Sequence, residues 1–276
     1  MIGPVANKEY VLKHLNVYDV KALKKYGQNF LIDDKLAKEI VDSISDGENK
    51  TLIEIGPGLG ALTYHLLNKQ GKKILVEIDK VMAEHLSRQI NDENIDIVCQ
   101  DFLKYNLEKI QGEIIVLANL PYYVTTEIVE KLIKCPKVTQ MTLMVQKEAY
   151  QRLVAPINTK EYSPLSIFIE YLGGAKVLKK VSRHSYIPEP HVDSLVFQIN
   201  VNKRKQSNNE QDFYKITKAM FLMRRKTILN NLTSYVKDKE RAISLLKELN
   251  CSENMRPEQL DLDFYLRLTD LIKRDN

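Results

Sequence analysis

The chain of 276 residues contains no apolar run approaching the roughly 20 residues needed to span a bilayer. Its first residues, MIGPVANKEYVLKHLNVYDV, have neither the apolar core of a secretory signal nor the Arg-rich, acid-poor character of a transit peptide. Cysteine is scarce: Cys99, Cys135 and Cys251 lie far apart and form no C-x-x-C. That pattern argues against a disulfide framework and a structural zinc site, and it predicts a reduced, cytoplasmic protein without membrane attachment. Internal repeats and low-complexity tracts are absent as well. What remains is an ordinary globular composition, 44% hydrophobic and 28% charged, long enough for one large domain and one small one.

The net charge of +5 is unevenly spread. Residues 203–276 hold 16 Lys/Arg against 11 Asp/Glu, whereas the preceding 202 residues hold 25 of each. The excess gathers in Lys203-Arg204-Lys205 and Arg224-Arg225-Lys226, with smaller islands at Lys21/Lys24/Lys25 and Lys176/Lys179/Lys180/Arg183. Charge alone fits a solvated surface as well as it fits a polyanion partner.

From about residue 33 to residue 170, short β-rich runs alternate with helical patterns. TLIEI (51–55), KILVEI (73–78), IDIVC (95–99), IIVLA (114–118) and MTLMV (141–145) are nearly all apolar, as strands buried on both faces are. Helical spacing covers Asp33–Ile44, with Leu36, Ala37, Ile40, Val41 and Ile44 inward and Asp33 or Asp34 as cap. It recurs near 61–70, ended by Gly71, then near 80–90 and near 125–134. The alternation predicts an α/β fold with a Rossmann-like, doubly wound, mostly parallel sheet. Strands near 176–181 and 195–201 extend it, antiparallel in part. The polar Lys203–Gln211 reads as a linker, and only helical patterning follows it, on Phe213/Ile216/Met220, Ala242/Leu245/Leu246/Leu249 and Leu262/Tyr265/Leu266/Leu268/Leu271. The expected division is therefore a sheet domain over 1–202 and a small all-helical domain over 203–276.

Three successive strand ends carry candidate binding residues. TLIEIGPGLGAL sets Gly56, Gly58 and Gly60 directly after the first strand and ahead of a helix. Glycines there let the backbone turn tightly and approach a ligand, while the helix offers free N–H groups. Taken alone, Gly56-x-Gly58-x-x-Ala61 also fits a dinucleotide fold, or a turn with no ligand. Glu77 ends the second strand about 20 residues on, where a carboxylate can accept both ribose hydroxyls. Asp101 follows the third strand and could receive a base amine. Either acid alone could equally be a helix cap; the set points to a ligand site.

The fourth strand runs into Asn119-Leu120-Pro121-Tyr122. An adenine amine is a poor nucleophile, because its lone pair is delocalised into the ring. Hydrogen bonds from its two N–H groups to the Asn119 side-chain oxygen and the Leu120 carbonyl favour a pyramidal nitrogen whose lone pair points at a methylsulfonium. Pro121 stiffens the loop, and Tyr122 offers a ring on which an extruded base can stack. No metal or strong base is required, since a sulfonium leaving group is already activated. A plain strand-ending turn could also hold these residue types. At this strand, after that glycine loop, they favour an amine methylase over a dehydrogenase.

Further segments join these: Tyr26-Gly27-Gln28-Asn29-Phe30-Leu31, Glu54-x-Gly56-x-Gly58-x-Gly60, Gln146-Lys147-Glu148 with Arg152-Leu153, and Tyr186-x-Pro188-x-Pro190-x-Val192-Asp193-Ser194. Phe221-x-x-Arg224-Arg225-Lys226-Thr227 with Asn230-Asn231-Leu232 completes the set. From about residue 20 to residue 270 the sequence resembles the small-subunit rRNA adenine dimethyltransferases of the KsgA type. The resemblance implies a methyltransferase sheet with S-adenosyl-L-methionine as cofactor, held by Gln28, Asn29, Leu31, Gly56, Gly58, Glu77, Ile78, Asp101, Phe102 and Asn119. It implies catalysis on Asn119, Leu120, Pro121 and Tyr122, and a monomeric enzyme whose partner is small-subunit rRNA within an assembling subunit. The product would be dimethyladenosine at two neighbouring adenines in the 3′-terminal hairpin loop.

Tyr186, ahead of the stiffening Pro188 and Pro190, is expected to form a second base-stacking wall opposite Tyr122; its bland alternative is packing against the sheet edge. The Arg224-Arg225-Lys226-Thr227 segment is read as helical. Its three cations are expected to bind RNA, the alternative being intramolecular partners that hold the helical domain together. Three positions depart from the family pattern. Tyr123-Val124-Thr125 stands where Asn-Ile-Ser is usual, Pro164 replaces a small or basic residue, and Tyr186 replaces Phe. Rival readings are a large-subunit rRNA adenine methylase, an RNA-binding assembly factor without activity, and a DNA adenine methylase.

Overall fold

The computed structural model describes residues 4–17, 27–121, 123–201 and 209–274. In chain order the elements are α1 (Lys8–Val17), β1 (Phe30–Leu31), α2 (Asp34–Asp42), β2 (Lys50–Ile55), α3 (Thr63–Leu66), β3 (Lys72–Glu77), α4 (Lys80–Gln89) and β4 (Ile95–Cys99). Two short 3₁₀ turns, Phe102–Lys104 and Leu107–Lys109, lead to β5 (Glu113–Asn119), α5 (Thr125–Ile133), β6 (Val138–Gln146), α6 (Lys147–Leu153) and α7 (Pro164–Tyr171). Then follow β7 (Lys176–Val181), β8 (Tyr186–Ile187), β9 (Ser194–Asn200), α8 (Glu210–Met220), α9 (Ile228–Val236), α10 (Lys239–Glu248) and α11 (Leu262–Arg274).

Seven strands form one sheet in the order β4-β3-β2-β5-β6-β9-β7. The first five are parallel, and β9 runs antiparallel to both β6 and β7. The chain leaves β2, winds outward through β3 to β4, then returns to β5 on the other side of β2. Strand order therefore reverses between β2 and β5, and the crevice beyond their C-terminal ends is where such sheets bind ligands. The expected apolar runs are the central strands: Leu52, Ile53, Leu75, Val76, Ile114, Ile115, Val116 and Leu117 are buried. Outside them, α2 begins at Asp33, whose side chain accepts the Leu36 N–H at 3.0 Å, and it buries Leu36, Ala37, Ile40 and Val41. The edge strand β7 carries Lys176, Lys179 and Lys180 exposed, and lysines on an edge oppose unwanted strand pairing. Lys179 also pairs with Glu39.

The chain divides into two compact units, Met1–Tyr150 with Ala175–Val201, and Gln151–Gly174 with Asn202–Asn276. A cut near residue 203 is therefore not sufficient, because the segment that contains α7 packs with the C-terminal helices. Aromatic packing draws it there: the Phe168 ring lies 5.7 Å from Phe213 and 4.7 Å from Tyr214, and Tyr171 lies 5.0 Å from Phe213. Of the expected linker, Glu210 and Gln211 are already the first residues of α8. Lys203-Arg204-Lys205, like Lys21, Lys24, Lys25 and Tyr26, lies outside the described residues.

A second correction concerns Arg224-Arg225-Lys226-Thr227, which is a turn between α8 and α9 and not helical. Buried Asn231 competes for its backbone. The Oδ1 of Asn231 accepts the Met223 N–H at 3.0 Å, and its Nδ2 donates to the Met223 and Thr227 carbonyls. Thr227 then caps α9, in an extended conformation that cannot continue a helix. Replacing Asn231 with Ala leaves the Met223 N–H without its acceptor and takes one of two donors from each of the Met223 and Thr227 carbonyls, which keep the Lys226 and Asn231 backbone N–H groups. Its expected cost is about 2–3 kcal/mol, read as a lowered urea midpoint with unchanged slope; an unchanged midpoint would show that the turn holds itself.

Candidate active site

The glycine turn, Glu77 and the Asn119 loop meet at the crevice. Gly56 and Gly58 both have positive φ, 67° and 56°. A Cβ on Gly58 would sit 3.3 Å from the Phe30 ring, so the backbone itself forms the cleft floor there. Glu77, at the end of β3, is only 2% exposed. Its two carboxyl oxygens accept the N–H groups of Gly58 and Asp79, each at 2.9 Å. Burial raises its pKa above the ordinary carboxylate value, opposed by those N–H groups, which favour the ionised form.

Glu54, one strand in on β2, is also buried and accepts the Thr63 hydroxyl at 2.7 Å. Burial pushes its carboxyl up to about 8, with the Thr63 bond opposing and the Glu77 charge adding. Two carboxyls on neighbouring strands thus have distinct environments: one bonded to two backbone N–H groups, one bonded to a hydroxyl. In the sequence Glu54 stands out only as part of the Glu54-x-Gly56-x-Gly58-x-Gly60 motif. A carboxylate inside the apolar run TLIEI is the signal that could have singled it out.

The other side of the cleft comes from β5. The Leu120 N–H donates to the Met144 carbonyl at 2.9 Å, fixing the loop to β6. The Thr125 hydroxyl donates to the Pro121 carbonyl at 3.0 Å and ties the loop to the first residue of α5. Serine, usual at position 125, could donate the same bond, so the departure there leaves the loop anchored. The Asn119 Nδ2 donates to the Asn29 carbonyl at 3.4 Å. The cleft, about 980 Å³ including its open mouth, is lined by Gln28, Asn29, Leu31, Gly56, Gly58, Glu77, Ile78, Asn119, Leu120, Pro121 and Tyr186, and also by Glu54 and Phe30. Val5 and Val11 at the N-terminal end add to it. They were not anticipated, since α1 carries only a weak periodic pattern.

Not every expected residue reaches the cleft lining. Asp101 and Phe102 lie one strand further out, beyond β4; the Asp101 side chain accepts the Leu103 N–H at 2.9 Å as cap of the 3₁₀ turn. Tyr122 falls outside the described residues. Tyr186 is 3% exposed, pairs with Leu31 across the β1–β8 ribbon and belongs to the apolar core, so it lines the cleft and packs inside the sheet unit at once. In the helical unit Arg224 donates to the Lys160 and Tyr162 carbonyls at 2.7 and 2.9 Å. Arg225 and Lys226 are exposed.

A doubly wound sheet whose switch-point crevice carries a glycine turn, a buried acid and an Asn-Leu-Pro loop defines a Rossmann-like methyltransferase. The same fold is seen in a dimethyladenosine transferase from Plasmodium falciparum, with a TM-score of 0.74 at 24% identity, covering 88% of this chain and 97% of that one. It is seen again in the 23S rRNA methyltransferase ErmE, with a TM-score of 0.64 at 22% identity, covering 89% of this chain and 100% of that one. The Ribosomal RNA small subunit methyltransferase A of Mycoplasma capricolum is 37% identical over 265 residues, 93% of this chain and all of that one. The chain belongs to the ribosomal RNA adenine dimethylase family, whose profile it matches over residues 20–273.

Glu54 gives the site a pH signature. The folded chain holds its proton up to about pH 8, whereas the unfolded chain releases it near 4.5. This contribution to stability is therefore complete below the lower value and is lost as pH rises through the higher one, at no more than about 1.4 kcal/mol per pH unit. Glu77 shifts in the same direction, so the difference between wild type and Glu54→Gln isolates Glu54. Urea midpoints between pH 5 and 8 should decline less steeply in the variant; parallel declines would show that Glu54 is ionised in the folded protein.

Proposed function

We propose that the chain transfers methyl groups from S-adenosyl-L-methionine to the exocyclic amines of two adjacent adenines in the 3′-terminal hairpin loop of small-subunit rRNA. The observation that carries this reading is the convergence of Gly58, Glu77 and Asn119 on one switch-point cleft in a chain of this family. Bound there, the cofactor would supply a methyl group already activated on a sulfonium.

The cleft residues fit that group. An ionised Glu77 has about four lone-pair sites. Two accept backbone N–H groups, which leaves one on each oxygen for a pair of ribose hydroxyls. The Gln28 Oε1 is buried with no hydrogen-bond partner beside the cleft, an acceptor awaiting a donor. Exposed Ile78, at 42%, offers an apolar surface for a base. Asp101 and Phe102 would complete the base side.

On the substrate side, the Asn119 Nδ2 bond to Asn29 leaves Oδ1 to accept one amine N–H, and the Leu120 carbonyl accepts the other. Tyr122 and Tyr186 stack the extruded adenine. The cations that reach RNA phosphates are Arg225 and Lys226, while Arg224 chiefly holds its turn. The enzyme acts as a cytoplasmic monomer on an assembling small subunit.

Labelled cofactor given with unmethylated small-subunit particles, naked small-subunit RNA or large-subunit RNA tests the substrate. Label should map to the hairpin adenines of small-subunit RNA; label confined to large-subunit RNA would overturn the assignment. With the correct RNA, Asn119→Ala should lower single-round turnover roughly 10²–10³-fold, as for a lost transition-state hydrogen bond. RNA affinity should barely move, because phosphate contacts dominate it. Near-normal turnover would remove Asn119 from the chemistry.

A further inference from the structure

Lys131 lies on the second turn of α5, the helix that follows the Asn119–Pro121 loop. Its ammonium donates to three backbone carbonyls: Phe102 at 2.6 Å, Leu103 at 2.8 Å and Tyr105 at 2.5 Å. An ammonium has three donors, and all are used. The same nitrogen stands 5.1 Å from the centre of the Phe102 ring. Carboxylates have no part in these bonds, so the contact is a clamp on backbone geometry and not an ion pair. The clamped segment is the 3₁₀ turn Phe102–Lys104, whose other end is capped by Asp101.

We propose that Lys131 is a positioning residue for the adenosine half of the cofactor, fixing the Asp101–Phe102 turn from behind. The proposal rests on the reading that Asp101 and Phe102 meet the cofactor base. Asp101 starts the turn and Lys131 closes it, so the Asp101 carboxyl and the Phe102 ring are held at both ends. Because the clamp stands on α5, the turn takes its position from the helix that the Thr125 hydroxyl ties to Pro121. One helix thereby sets the base side of the cleft and the amine-holding loop together. A planar Arg fork cannot converge on three carbonyls as a tetrahedral ammonium does.

A second lysine supplies the control. Lys137 donates to the Glu108 carbonyl at 2.7 Å and to that of Ile110, around the next 3₁₀ turn, which carries neither Asp101 nor Phe102. Calorimetric titration of the whole protein with S-adenosylhomocysteine reads affinity per folded molecule, which a loss of stability alone does not move. Lys131→Met should weaken binding about tenfold, the equivalent of one hydrogen bond to a charged group. Lys131→Arg should fall between Met and wild type, and Lys137→Met should bind normally. Unchanged affinity in Lys131→Met, or equal losses in Lys131→Met and Lys137→Met, overturns the clamp. Asp101→Ala separates the two layers: if it too binds normally, the base-site reading falls, whereas weakening in Asp101→Ala alone overturns only the role of Lys131. Should Lys131→Met not fold, hydrogen exchange in the unaltered protein decides. The amides of Leu103 to Tyr105 should slow when S-adenosylhomocysteine binds, and unchanged rates contradict the proposal.

Discussion

Between the end of β3 and the turn after β2, one buried carboxyl group joins two strand ends. The oxygens of Glu77 take the N–H groups of Gly58 and Asp79 at 2.9 Å. Removing a charge from water is costly, and these bonds to the charged form offset that cost. They also dictate what surrounds them. Gly58 keeps a positive φ that presents its N–H, and Asp79 is set to cap α4 through the Val81 N–H. Gln28 reaches back to Asp79 at 3.5 Å, bringing the segment ahead of β1 to the same point. Each part of the cleft floor is thus referred to a single side chain.

The opposite wall is organised by main-chain register. The parallel pairing of β5 with β6 places Asn119 beside Met144, and the Met144 carbonyl then holds Leu120. Helix α5 grows directly out of this loop. The lip formed by β1 and β8 is a two-residue ribbon, Phe30 against Ile187 and Leu31 against Tyr186. The floor is therefore set by side-chain hydrogen bonding and the far wall by sheet geometry. In the proposed reaction the floor holds the cofactor and the wall holds the amine, so the two functions depend on different parts of the fold.

Much of this was legible in the sequence, for definite reasons. Apolar runs bounded by polar turns mark strands buried on both faces, and the parallel core follows from their alternation with helices. Gly56, Gly58, Glu77 and Asn119 were readable because each sits at a strand end, where the topology must bring them together. Partner choice was not readable. Nothing in the pattern of β9 says that it inserts between β6 and β7, and the attraction of Phe168 and Tyr171 for Phe213 and Tyr214 acts between residues more than 40 positions apart. The turn at Arg224 escaped because a single buried Asn231 overrides local helical preference. Asp101 shows the ambiguity of acids at strand ends: its side chain caps a 3₁₀ turn, as many such acids do.

Glu77 is proposed to serve both the fold and the ligand, and calorimetry of Glu77→Gln with S-adenosyl-L-methionine tests that double role most directly. The amide keeps the size of the side chain and one acceptor oxygen but replaces the other with a donor, which faces either a backbone N–H or a ribose hydroxyl. Affinity should fall by about 1–3 kcal/mol, the range for hydrogen bonds to a charged group, in protein that remains folded. Wild-type affinity in folded Glu77→Gln would contradict the account, because the ribose would then be held elsewhere.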